Sequence, residues 1–196
     1  MDNSLSDDYW EKRWQKGETG WDIQSPSPAI IDLVIQETDL SSKILFPGAG
    51  SGYEAAYLFN EKGYKNIFIC DWAETPLKRF AKAYPEFPKE QIIHGDFFAH
   101  TGSYDFIVEQ TFFCAIHPEW RKKYRNKILE LLQPNGILMG LFFDRTFNKN
   151  GPPFGGTAQE YESLFKKYFK IKKLESSTLS IKPRLGSELE FIFEKR

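Results

Sequence analysis

At 196 residues the chain is of a size to fold as one domain around a substantial core, and 41% hydrophobic with 27% charged residues is ordinary for a globular protein. A formal net charge of -1 gives no basic surplus for a polyphosphate backbone, which argues against nucleic acid as a partner. Two cysteines in apolar surroundings, Cys70 and Cys114, suit a reduced, cytoplasmic protein, and the polar start and lack of a long apolar run predict neither signal peptide nor membrane span.

The aromatic content is high, 16% with five tryptophans and eighteen phenylalanines; such residues fill a core or line a site for a cation. Residues 1–8 are expected to fray ahead of a short helix over 9–16, ended by Gly17. Trp10 and Trp14 stand four apart on one face, which reads equally as a hydrophobic anchor or as part of a site. Residues 21–28 are turn-like, and Pro28 opens a helix through Ala29, Ile30, Leu33, Val34 and Ile35. An arm with three tryptophans, residues 1–28, thus precedes the sheet core expected over 43–196.

Residues 44–54 read Ile-Leu-Phe-Pro-Gly-Ala-Gly-Ser-Gly-Tyr-Glu: a strand, a break at Pro47-Gly48, glycines at 48, 50 and 52, then a helical pattern closed by Gly63. Glycine takes positive φ cheaply and lets backbone approach a ligand, and the free N–H groups of a first helical turn face an acceptor. A second strand over 66–71 ends in Asp71, twenty-three residues after Gly48 and near the interval at which nucleotide-binding folds place a carboxylate for ribose hydroxyls. A helix over 74–83, a loop over 85–88 and a third strand over 91–94 follow. Gly95-Asp96-Phe97-Phe98 then supplies an acid and an aromatic suited to a purine.

The fourth strand covers 104–110, with the loop 111–117 at its end. Pro118 opens a long helix to about 132, residues 133–136 form a turn, and 137–143 is the fifth strand. A glycine- and proline-rich loop runs over 144–157, a helix over 158–168, and two more strands over 169–174 and 188–194; the polar stretch 175–186 shows no period. This alternation predicts an α/β fold: one doubly wound, Rossmann-like domain over 1–196, its seven-stranded sheet mostly parallel with one antiparallel strand near the C-terminus and helices on both faces. Ligands then lie at the C-terminal ends of the strands, where every feature singled out falls.

The glycine register is Gly-x-Gly-x-Gly, with Tyr53 where a dinucleotide fingerprint has its third glycine, and the Gly-Lys-Ser/Thr ending of a phosphate loop is absent. That register, with Asp71 and the Gly-Asp-Phe-Phe segment, is the spacing of S-adenosylmethionine-dependent methyltransferases. Two alternatives stay open: a nicotinamide-dinucleotide-dependent reductase, which the register disfavours, and a catalytically inactive module that binds S-adenosylmethionine. The Pro152-Pro153-Phe154 run also echoes adenine-amino methyltransferases, but those place it at the end of strand four, where this chain has Glu109-Gln-Thr-Phe112.

The chain resembles the thiopurine S-methyltransferase superfamily, and within it the plant-type thiol and halide methyltransferases. The resemblance rests on Trp10-Glu-Lys-Arg-Trp14, Gly17, Trp21-Asp22, Pro26-Ser-Pro28, the glycine turn, Gly95-Asp-Phe-Phe98, Phe112-Phe-Cys-Ala-Ile116 with Pro118-Glu119 and Arg121, Leu131-Leu-x-Pro-x-Gly136 and Gly151-Pro-Pro-Phe154. It runs from about residue 9 to about 165 and is weakest over the last thirty residues; Ala49 stands where the plant pattern usually has cysteine.

The resemblance implies that Pro47, Gly48, Gly50 and Gly52 pass the methionine part of S-adenosylmethionine, that Asp71 accepts the ribose hydroxyls, and that Trp72 packs by the adenine. Asp96 and Phe97 would fix the adenine, Glu109 to Thr111 would lie under the sulfonium, and Trp10, Trp14 and Trp21 would belong to an arm that closes over the cofactor. Phe112, Phe113, Pro153 and Phe154 are candidates for the acceptor pocket, with His117 as a proton acceptor and Arg145 as the cation that draws in an anion. The acceptor expected is a thiol, hydrosulfide or halide, or a thiopurine, taken by a monomer. In-line methyl transfer to a preformed anion needs no strong base and rests on alignment in a dry site. The scattered His94, His100 and His117 do not suggest a metal site, and Cys114 reads as packing.

Overall fold

The computed structural model describes residues 5–148 and 150–196; residues 1–4, part of the stretch expected to fray, lie outside them. Seven strands form one sheet: β1 (Ile44–Pro47), β2 (Ile67–Asp71), β3 (Ile92–His94), β4 (Tyr104–Gln110), β5 (Leu132–Phe143), β6 (Phe169–Ser176) and β7 (Glu188–Lys195). Their order is β3-β2-β1-β4-β5-β7-β6. Pairs among β1 to β5 are parallel, and β7 is antiparallel to both β5 and β6, so it is the single reversed strand of the expected doubly wound sheet.

Period-two alternation sorts each strand between two apolar layers. Ile44, Phe46, Ile67, Ile69 and Val108 pack with α2 (Pro28–Glu37), α3 (Tyr53–Glu61) and α4 (Glu74–Ala83) on one face. Leu45, Cys70, Ile107, Leu138 and Phe142 pack with α5 (Arg121–Leu131) and α6 (Ala158–Phe165) on the other. The second layer absorbs many of the phenylalanines: Phe142 stacks on Phe191 with centroids 3.9 Å apart, and Phe113 lies 4.7 Å from Phe142.

Several boundaries depart from expectation for local reasons. Helix α1 (Asp7–Lys16) starts two residues early because the Ser6 hydroxyl accepts from the Tyr9 amide and Asp7 and Asp8 complement the positive helix end, so residues 7 and 8 are helical. The helix expected from Pro118 is a 3-10 turn over Pro118–Trp120 followed by α5. The turn expected at 133–136 is a bulge inside β5. Tyr104 pairs with Leu132 and Phe106 with Ile137, so the extra residues loop out, with Asn135 at φ 60°. In the unassigned stretch, β6 extends to Ser176 and residues Lys182–Arg184 make a 3-10 turn.

Candidate active site

Because β1 to β4 run parallel, their C-terminal ends deliver the glycine turn, Asp71, Asp96 and residues 110–117 to one edge of the sheet. A cavity of about 610 Å³ opens there; ligand sites span ~300–1,000 Å³. The glycine turn forms its floor, with Gly48, Gly50 and Gly52 at φ 59°, 52° and 63°. Left-handed backbone is one reason for glycine; close aromatic packing is a second. A Cβ built on Gly48 would lie 2.6 Å from Cγ of Phe112, and one on Gly50 would lie 2.9 Å from Cζ2 of Trp14. The loop after β4 and the tryptophan arm therefore both rest directly on the turn.

Asp71 ties the end of β2 to that turn: one carboxylate oxygen accepts from the Gly50 amide at 2.7 Å and the other from the Ala73 amide at 2.8 Å. Burial pushes its pKa up, and the Ala73, Gly50 and Trp72 amides oppose the shift. Two oxygens offer about four acceptor sites, so these amides leave acceptor capacity. Trp72, Asp96 and Phe97 line the same cavity; Asp96 accepts from the Phe98 amide at 2.8 Å, and Phe97 meets Phe112 edge-on at 5.1 Å.

Trp10, Trp14 and Trp21 all line the cavity and pack edge to face, Trp21 lying 5.4 Å from Trp10 and 5.8 Å from Trp14. Polar contacts fasten the arm. Glu11 accepts from the Thr75 amide at 3.0 Å and from the Thr75 hydroxyl, capping α4, whose own N-cap residue Ala73 has no capping side chain. Asp22 accepts from the Ser51 hydroxyl at 2.9 Å on the glycine turn, and Arg184 donates to the Trp21 carbonyl at 2.8 Å. Glu54, next to Asp22 on the wall, accepts from the Ser27 amide at 2.8 Å, and burial raises its pKa.

From the loops after β4 and β5 the wall takes Thr111, Phe112, Cys114, His117, Trp120 and Pro153. The Cys114 thiol donates to the Thr111 carbonyl at 3.1 Å, and burial drives its pKa far above the usual range; the Cys70 thiol is pushed up to about 12. Both are held as neutral thiols, as expected of packing residues.

Four expected site residues do not line this cavity. Glu109 is 1% exposed: Val108 and Gln110 line the wall, and the alternation of β4 turns the residue between them to the opposite face. Phe113, also 1% exposed, opens a 3-10 turn that drops its ring into the core against Phe142 and Tyr124. Phe154 stands behind the wall, edge-on to His117 at 5.5 Å. Arg145 forms a backbone bridge with Gly156 at the neck of its loop, and its exposed side chain lies 4.8 Å from the Phe147 ring.

Two arginines line the wall: Arg184, from the 3-10 turn in the stretch that had no periodicity, and Arg13, over Trp21 at 5.0 Å. Asp22 stood within the Trp-Asp motif without a role, and its partners Ser51 and Tyr53 lie in the glycine turn. Nothing in the sequence marked Glu11 as the cap of a helix 64 residues away.

A sequence profile of the thiopurine S-methyltransferase (TPMT) family matches residues 5–195. The chain is 30% identical over 185 residues to a probable thiol methyltransferase 2 of Arabidopsis thaliana, covering 91% of this chain and 81% of that one. It is equally 30% identical over 185 residues to thiocyanate methyltransferase 1 of Brassica oleracea, with the same coverage. Among solved structures, the 1,6-didemethyltoxoflavin-N1-methyltransferase of Burkholderia thailandensis, with S-adenosylhomocysteine bound, superposes with TM-score 0.77 at 18% identity over 98% of this chain and 88% of that one, a likeness of fold. The chain belongs to the thiopurine S-methyltransferase family, and it is an S-adenosylmethionine-dependent methyltransferase.

Proposed function

We propose that the methyl group passes in line to a small soft nucleophile: a thiol, hydrosulfide or halide, or a thiopurine. The observation that carries this reading is the cavity lining, in which the apolar Phe112, Ile116, Trp120, Phe143 and Pro153 are joined by Arg184, whose guanidinium also pairs with Glu188 at 3.5 Å. Such a wall favours a polarisable, weakly hydrated anion over a carboxylate or hydroxyl, which would need several donors.

The residues present fit the cofactor. The turn brings backbone close to the ligand space at Gly48 and Gly50, Asp71 keeps acceptor capacity, and three indoles suit a cation, at ~0.5 to 2 kcal/mol for one aromatic face. When bound, S-adenosylmethionine supplies a methyl group on a positively charged sulfur. In this reading Pro47, Gly48, Gly50 and Gly52 bind the methionine part, Asp71 holds the ribose hydroxyls, and Trp72, Asp96 and Phe97 hold the adenine. Thr111, at φ 60°, flanks the reacting centre, and residues 1–28 act as a lid whose Trp10, Trp14 and Trp21 exclude water. In this reading Arg184 takes the electrostatic role expected of Arg145, and His117, which lines the wall, remains the candidate acceptor for a thiol proton, which would have to displace the Glu119 amide from its Nδ1, 3.4 Å away.

The test incubates purified protein with methyl-labelled S-adenosylmethionine and hydrosulfide, small thiols, thiopurines, iodide or cyanide. Transfer to one or more of these supports the reading; cofactor binding with transfer to none sinks it in favour of an inactive binding module.

A further inference from the structure

Glu109 lies at the end of β4 beside the cavity yet reaches no part of its surface. One carboxylate oxygen accepts from the amides of Phe112 at 2.9 Å and Phe113 at 2.7 Å, and the other accepts from the hydroxyl of Tyr124 at 3.0 Å. Tyr124 comes from α5 and is 0% exposed. Between Glu109 and its amide partners Thr111 adopts φ 60°, a left-handed conformation that a β-branched residue resists. The carboxylate therefore grips a turn that the sequence alone would not favour.

That turn organises the whole acceptor side. The Phe112 ring rests on Gly48 of the donor cradle, and the Cys114 carbonyl accepts from the Phe154 amide at 2.7 Å, joining the turn to the glycine- and proline-rich loop. Arg121, at the start of α5, donates to the Gly155 carbonyl at 2.6 Å and packs 4.9 Å from the Phe113 ring, fastening the same loop from the same helix.

Resting on the acceptor assignment made above, we propose that Glu109 is a positioning residue for the acceptor wall: it fixes the turn at 111–115, and through it the loop at 151–155, without touching donor or acceptor. Its three partners are all N–H or O–H donors. The other titratable groups around it are Cys114 and, across a void of about 10 Å³, Tyr161 of α6 and Glu188 of β7, which Arg184 faces. Burial pushes Glu109 up to about 7 against the pull of the Phe113 amide, the Tyr124 hydroxyl and the Phe112 amide. Glutamine retains the arrangement, its carbonyl oxygen accepting from both amides and its amide donating to the tyrosine oxygen; alanine leaves all three donors unpaired.

The test compares the full chain with Glu109→Ala, Glu109→Gln and Tyr124→Phe. Three readouts are used: S-adenosylhomocysteine affinity by calorimetry, steady-state constants for an accepted substrate from the panel, and hydrogen exchange of the Phe112 and Phe113 amides by NMR. Glu109→Ala is expected to lower kcat/KM for the acceptor on the order of 10- to 100-fold. It should leave S-adenosylhomocysteine affinity within about threefold and speed exchange of those two amides, and Glu109→Gln should restore both properties. Unchanged acceptor constants in a folded Glu109→Ala, parallel loss of S-adenosylhomocysteine affinity, or failure of folded Glu109→Gln to rescue would each overturn the proposal. If Glu109→Ala does not fold, Tyr124→Phe decides: a selective fall in acceptor kcat/KM supports the proposal and wild-type constants overturn it. If no acceptor in the panel is methylated, the transfer reading fails separately, and amide exchange in Glu109→Gln and Tyr124→Phe still decides. Protection kept in the former and weakened in the latter supports positioning; equal protection in both, or loss in the former, overturns it.

Discussion

Burial pushes the Glu109 carboxyl up to about 7 in the folded chain, against an ordinary 4.5, so between those pH values the folded state holds a proton that the unfolded chain has released. Stability falls with pH wherever the folded state binds more protons. The contribution is therefore fully present below the unfolded value and lost as pH rises through the folded one. At ~1.4 kcal/mol per pH unit the gap amounts to about 3 kcal/mol, undiscounted for screening because the group is 1% exposed. Glu109→Gln removes the titration and keeps the shape. Urea unfolding of both proteins, followed by tryptophan fluorescence from about pH 4.5 to pH 8, gives the difference in unfolding free energy at each pH, and carboxyls common to both cancel. The wild-type advantage should shrink by about 3 kcal/mol across that window, most steeply midway between the two pKa values and levelling off above about pH 7. A difference flat to within about 0.5 kcal/mol would refute the reasoning, showing that three donors outweigh burial and keep the carboxylate charged throughout.

Other expectations follow from the same geometry. Asp71→Ala should weaken S-adenosylhomocysteine binding by ~1 to 3 kcal/mol in calorimetry through lost hydrogen bonds to a charged group; unchanged affinity rejects the ribose assignment. Gly50→Ala places a methyl group 2.9 Å from the Trp14 ring at a φ of 52°, so it should displace the arm, shift tryptophan emission and weaken S-adenosylhomocysteine binding. A Gly50→Ala protein with wild-type emission and affinity would show that the arm does not rest on the turn in solution. Arg184→Met should lower kcat/KM on the order of tenfold for iodide or hydrosulfide and less for an uncharged thiol, because it removes a wall cation; equal losses for both would assign Arg184 only to holding the Trp21 carbonyl.

The elements that position the site were legible because their signals are local. Short apolar runs gave β1, β2 and β4, the glycine spacing gave the turn, and the acid ending β2 stood where a parallel strand must deliver it. What stayed hidden depends on contacts distant in sequence or on side-chain direction. Glu109 belongs to a strand whose end was located correctly, but only the pairing of β4 with its neighbours shows that Val108 and Gln110 face the cavity while Glu109 turns to Tyr124. Arg145 was the nearest cation in sequence, yet its bridge to Gly156 directs it outward, and Arg184 reaches the wall from a stretch with no apolar period to announce it. The Trp10 and Trp14 face proved to be anchor and cavity lining at once, since Trp14 is 5% exposed on Gly50 and still borders the open space. The turn at 133–136 was placed correctly in the chain, but its absorption into β5 as a bulge is set by pairing with Tyr104 and Phe106.

The central claim, transfer to a small soft nucleophile, is tested most directly by headspace mass spectrometry of the purified protein with S-adenosylmethionine and either hydrosulfide or iodide. The account predicts methanethiol or iodomethane in amounts matching the S-adenosylhomocysteine released. Tight S-adenosylmethionine binding with neither volatile product, and with methylation confined to large acceptors outside the panel, would contradict it.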